Sequence, residues 1–216
     1  MNIPALRQLI EHARQHEVSH GTLARQLESR MQCLHPAICL PEEDALGVLT
    51  KFVDGYLEQV PELLEAAHVV ACEAGIEGQI VPVLKVAEHF FLSPPEVVEG
   101  QEGLAGLLDE AYLAHRLIEE VNDRYIGFIG QPLIPLDTTV ANLIAHRLIG
   151  ELFANQLDEA VQLAVNGLLG NTLFEQVSLD AYRARVTSPK TVAAWQAWPC
   201  LSRQFGVELQ LSRSDG

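Results

Sequence analysis

A chain of 216 residues with 48% apolar and 20% charged side chains is too apolar to be disordered and long enough to bury one sizeable core. Its 14 basic and 29 acidic side chains leave a net charge of -15, a surface that nucleic-acid phosphates and anionic membranes repel. The four cysteines (Cys33, Cys39, Cys72, Cys200) form no C-x-x-C pair, which excludes zinc-ribbon and thioredoxin-type sites and leaves core thiols as the expectation.

The charge is concentrated. Residues 1–41 carry four Arg against three acids, residues 42–123 carry eighteen acids against Lys51, Lys85 and Arg116, and residues 124–216 carry seven bases against eight acids. Met1 to Ile10 lacks the basic start and continuous apolar stretch of a signal peptide, and no window of about twenty residues is free of charge. A cytoplasmic location is the expectation.

Helical periodicity fills most of the chain. Ile3, Leu6, Leu9, Ile10 and Ala13 share one face, and after an interruption at Ser19–Gly21 the pattern resumes through Leu23, Leu27, Met31 and Leu34. Pro36 and Pro41 bracket a loop. A long pattern begins near Glu43 and runs to Gly75, and Pro61 is expected to kink or divide it because proline lacks an amide donor. A helix over 79–92 holds Pro82 in its first turn, Ser93-Pro94-Pro95 ends it, and 95–103 is a connector. Leu104 to Tyr125 forms a strong amphipathic pattern. The apolar loop 127–136 is expected to pack on the core. Asp137 then caps a helix running to about Asn166, whose half from Val140 to Phe153 is apolar on nearly every side and is expected at the bundle centre.

Past Gly170 the elements shorten. Trp195 and Trp198 read as a packing stripe, and Val207–Leu211 alternates as a short edge strand or a tail. The fold expected is all-α, a helical bundle of six to nine helices around a central four-helix core. It forms one domain over 1–216, with N-terminal helices 3–34, a central bundle 43–166, a C-terminal cap 172–205 and a tail 206–216.

No phosphate loop, nucleophile elbow or dinucleotide fingerprint occurs. His12, His16 and His20 stack along one helix ridge without a carboxylate motif. Glu65 and His68 have the E-x-x-H spacing of di-metal carboxylate bundles, yet Glu65 lies off the apolar stripe and no second such motif exists. The helix 104–125 is more informative. Taking His115 as zero, Leu104, Leu108, Ala111, Ile118, Asn122 and Ile126 fall within about 60° of it. His115 and Asn122 therefore face the core, with Glu119 at the margin beside Tyr112. Such groups need partners, because burying them bare costs kilocalories.

His146 lies on a core-facing line, and Glu88 sits at the edge of its helix's stripe. In an antiparallel bundle Glu88, His115, Glu119 and His146 are expected to converge, as a hydrogen-bond network that fixes register or as ligands for iron, manganese or zinc. Tyr112 and Asn122 are candidate binding residues for a small molecule. No signature of a known family accompanies these residues. The favoured function is a non-catalytic binding or adaptor protein, with a protein of basic surface or a second copy of the chain as partner. A non-haem metal protein and a small-ligand carrier are the competing readings.

Overall fold

The computed structural model describes residues 1–98, 102–134, 136–169, 184–185, 187–196 and 208–209. Among them are eight α-helices: α1 (Ile3–His20), α2 (Thr22–Met31), α3 (Ala45–Ala74), α4 (Glu77–Leu92), α5 (Gly103–Ile129), α6 (Thr139–Ile149), α7 (Glu151–Leu168) and α8 (Pro189–Gln196). The protein is an all-α helical bundle. Two-residue strands β1 (Ile38–Cys39) and β2 (Glu208–Leu209) pair antiparallel, Ile38 opposite Leu209.

Each boundary has a local cause. Gly21 sits at φ +58, closing α1 through its amide to the Glu17 carbonyl. Glu17 then accepts from the amides of Leu23 (2.8 Å) and Ala24 (3.1 Å) and from Thr22 Oγ1 (2.9 Å), satisfying donors that α2 cannot pair itself. Burial disfavours its charge, yet those three residues outweigh burial and lower the Glu17 pKa. Asp44 caps α3, accepting from the Gly47 amide at 3.2 Å.

α3 runs through Pro61 as one helix and is not divided there. Pro61 is itself buried, as are Leu57, Val60 and Leu64 around it, and packing against α1, α2, α4 and α5 holds the helix across the missing hydrogen bond. Pro82 lies at the sixth position of α4, beyond the first turn.

The expected helix from Asp137 to Asn166 is two helices. Gly150, at φ +107, divides it: its amide donates to the His146 carbonyl (2.9 Å) and its carbonyl accepts from Phe153 (3.1 Å) and Ala154 (2.9 Å). Asp137 does contribute at the start, accepting from the Thr139 amide at 3.1 Å.

Nor does the segment Val140–Phe153 occupy the centre, since Leu143 and Leu152 are exposed. That place belongs to α5, which packs against α1, α2, α3, α4, α6 and α7. Leu108, Ala111, Leu113, Ala114, Leu117, Ile118 and Val121 are buried around its circumference. One apolar cluster joins α1 through α7. Among the described residues no helix is long and apolar enough to cross a membrane.

The cysteine expectation is corrected: Cys33 and Cys72 are exposed and Cys39 is half-buried, because each lies near a helix end or loop. Cys200 and Trp198 lie outside the described residues, as does most of the expected cap 172–205.

Candidate functional site

On α5, Tyr112, Arg116 and Glu119 fall at i, i+4 and i+7, one flank of the helix. α6 contributes Thr139, Asn142 and His146, and α7 contributes Asp158. With His35, Ala37 and Ile38 from the segment leading into β1, these residues line an open cavity of about 480 Å³. Residue 38 both walls the cavity and pairs with Leu209, so β2 anchors that wall from the far end of the chain.

A chain of hydrogen bonds runs along the cavity floor. From α3, the buried Tyr56 hydroxyl donates to Asn142 Oδ1 at 2.6 Å. Asn142 Nδ2 donates to Glu119 Oε2 at 2.5 Å and to Thr138 Oγ1 at 3.2 Å. Arg116 donates from Nη1 to Glu119 Oε2 at 2.8 Å and from Nε to Asp158 Oδ1 at 3.0 Å. The Tyr112 hydroxyl donates to the same Asp158 Oδ1 at 3.0 Å. Four helices are tied together by these seven side chains.

The electrostatics follow from burial and pairing. Burial works against the Arg116 charge, but the hydrogen bond to Asp158 and the Glu119 carboxylate outweigh it, so its pKa is raised and the guanidinium stays charged. Burial first, then the nearby Tyr112 and Glu119, drives the Tyr56 hydroxyl well above its ordinary range. Burial and Asp158 raise Tyr112 likewise, so both rings remain phenols and donors at neutral pH. The side chains of Arg116, Glu119 and Asp158 keep 19%, 17% and 28% of their surface open to solvent. The trio is therefore held by the fold but reachable from the cleft.

Of the residues singled out from sequence, Tyr112, Glu119 and His146 meet at this cavity. His146 packs edge-on to Tyr112, ring centroids 6.1 Å apart, and its Nε2–H donates to Asn155 Oδ1 at 3.2 Å. His115 is buried behind it. Its Nε2–H donates to the Tyr56 carbonyl at 3.0 Å and its ring lies 4.3 Å from the Tyr56 ring. Burial pushes its pKa down to about 4, so the imidazole is neutral, and Nδ1 has no hydrogen-bond partner among the described residues.

Asn122 serves the loop rather than a ligand. Its Nδ2 donates to the Ile134 carbonyl (2.5 Å) and its Oδ1 accepts from the Ile134 amide (2.9 Å). Glu88 accepts from the Asn2 amide at the start of α1. The expected convergence of Glu88, His115, Glu119 and His146 does not form, since two of the four spend themselves on other parts of the fold. Among the described residues no group of three or more His, Cys, Asp or Glu side chains is placed to hold a metal ion. Glu65 pairs with Arg7 at 2.8 Å, consistent with its outward phase.

Sequence reasoning passed over Tyr56, Arg116, Asn142 and Asp158. For Arg116 a signal existed: the Tyr112–Arg116–Glu119 stripe is legible by spacing alone. Asp158 belongs to another helix, and only the coordinates join it to Arg116. Among the lining residues, Thr139 is the sole hydroxyl on an aliphatic carbon and no cysteine is present.

No family model, no curated protein and no solved structure matches the chain.

Proposed function

We propose that the protein is a non-catalytic binding protein that takes a small polar organic molecule into the cleft between α5, α6, α7 and the segment 35–39. The observation that carries this reading is the trio Glu119–Arg116–Asp158, fixed by hydrogen bonds inside an open cavity of about 480 Å³. As a device for stability alone such a trio is poor. Partly burying two carboxylates and a guanidinium costs about as much desolvation as their attraction returns, and apolar side chains of similar volume do as well or better. As a binding surface it is well made, because its charged groups are already ordered and lose little freedom when a ligand arrives. The wall is apolar at Ala37, Ile38 and Leu143, aromatic at Tyr112 and His146, and polar at its floor.

Leu143→Trp supplies the test. Leu143 is 53% exposed, so an indole there obstructs the cleft without entering the core or the hydrogen-bond chain. In a thermal-shift screen against a metabolite library, some compounds raise the Tm of the wild-type protein by several degrees and leave Leu143→Trp unmoved. They are recovered chemically unchanged. Shifts that survive Leu143→Trp, a library with no shifting member, or turnover of the bound compound each refute the proposal.

A further inference from the structure

Resting on the reading of the cleft as a ligand site, we infer that its ligand is an organic monocation, a small molecule carrying a protonated amine. Among the described residues each carboxylate of the trio commits one oxygen to the fold. Glu119 Oε2 accepts from both Arg116 and Asn142, and Asp158 Oδ1 accepts from both Arg116 and Tyr112. Glu119 Oε1 and Asp158 Oδ2 accept from no protein donor among the described residues. The two free oxygens belong to carboxylates held on different nitrogens of one guanidinium, so one open acceptor is available on each side of it.

The charge balance points the same way. Two carboxylates against one guanidinium leave an excess of one negative charge on the floor. Arg147 at the rim is engaged by Glu151 at 3.3 Å. A monocation neutralises the excess, whereas a carboxylate ligand would raise it to two. At longer range the protein carries -15, and residues 42–123, which supply Tyr112, Arg116 and Glu119, hold eighteen of its 29 acids. That field draws cations toward the cleft and repels anions.

The shape selects an organic cation over an inorganic one. About 480 Å³ is far more room than a bare ion fills, and no three metal-type ligands are grouped among the described residues. The carbon skeleton has Ile38, Ala37 and Leu143 to lie on, and the rings of Tyr112 and His146 stand in the wall, a setting that suits an ammonium next to an aromatic face.

Ligand-observed NMR on the full chain tests this with matched triplets of fragments, each an ammonium, an alcohol and a carboxylate on one skeleton. Phenethylamine, phenethyl alcohol and 3-phenylpropanoate make one triplet. Binding that Leu143→Trp removes should rank ammonium first and carboxylate last, and Glu119→Gln should weaken the ammonium about tenfold and the alcohol several-fold less than that. Should that variant fail to fold, Asp158→Asn asks the same question from the other side of Arg116, and the wild-type ranking needs no variant at all. If the alcohols or carboxylates bind best and Leu143→Trp still abolishes it, the cation assignment falls and the ligand site stands. If no member of any triplet binds, the assignment and the site fall together.

Discussion

His115 and Asp109 are buried on the same helix and respond to pH in opposite directions. The imidazole of His115 is held down to about 4 by burial, with the hydrogen bond to the Tyr56 carbonyl opposing. An unfolded histidine titrates near 6.5, so the unfolded chain binds this proton first and stability is lost as pH falls from about 6.5 toward 4. Asp109 is 1% exposed with Oδ2 unpartnered among the described residues, and burial lifts its carboxyl to about 7. Burial, aided by the Asp109 charge, lifts its half-buried neighbour Glu110 to about 8. Both folded pKa values lie above the unfolded ones, so their contribution is intact near pH 4 and is lost as pH rises through 7 and 8. Of these three groups the two acids outweigh the histidine, so together they favour mildly acidic over alkaline solution. Asp109→Asn removes one of the two costs. It is expected to stabilise the protein by about 2 kcal/mol at pH 8 and to change little at pH 4.5. Urea midpoints at the two pH values check this, and an equal effect at both would mean that Asp109 does not titrate as burial dictates.

At the level of the helices, periodicity located most elements and misjudged how they connect. The apolar stripes of α1, α2, α4 and α5 are legible because their residues repeat with the helix and bury one side. The inward turn of His115 and Asn122 was readable from the same phase. Two failures share a cause. Pro61 obeys the local rule less than its buried neighbours require, and Gly150 obeys it more than the apolar run around it suggests, since only tertiary packing decides whether a breaker breaks. The partners of the α5 stripe were out of reach for the same reason: Asn142, which donates to Glu119, and Asp158, which accepts from Arg116 and Tyr112, come from helices whose relative placement Gly150 sets. Gly150→Ala tests that role. At φ +107 a Cβ is strained, and it would lie 2.7 Å from Arg30 Nη2, which donates to the Ile149 carbonyl at 2.9 Å. Arg30 can swing away, so the backbone sets the cost, about 1–3 kcal/mol. A lowered Tm accompanied by weaker ligand binding in the cleft is expected. An unchanged Tm would mean that the α6–α7 joint relaxes without strain.

For the molecule as a whole, part of the acidic excess is answered internally. Arg14 of α1 reaches Asp54 and Glu58 of α3, both at 2.6 Å, and Arg7 reaches Glu65 at 2.8 Å. The hydrogen bond from Arg14 to Asp54 leads the effects that raise the Arg14 pKa. Part of the compensation for the acidic segment is thus supplied by the first helix of the same chain. The side chains of these pairs are 32–55% exposed, where each pair contributes about 0–1 kcal/mol and salt weakens it. Against them stands the mutual repulsion of a net charge of -15, which the compact state feels more strongly than the expanded chain. The two terms respond to salt with opposite sign. Raising ionic strength from about 0.01 M to 0.5 M shortens the screening length from about 30 Å to below 8 Å. Repulsion between distant surface charges is then removed, while close pairs lose at most a fraction of a small energy. Stability is therefore expected to rise with NaCl, read as a Tm several degrees higher at 0.5 M than at 0.01 M. Arg14→Gln should lower the Tm at both concentrations and steepen that rise, because it adds one uncompensated negative charge beside Asp54 and Glu58. A Tm that falls with salt in the wild-type protein would mean that the ion pairs linking α1 to α3 outweigh the repulsion of the whole surface.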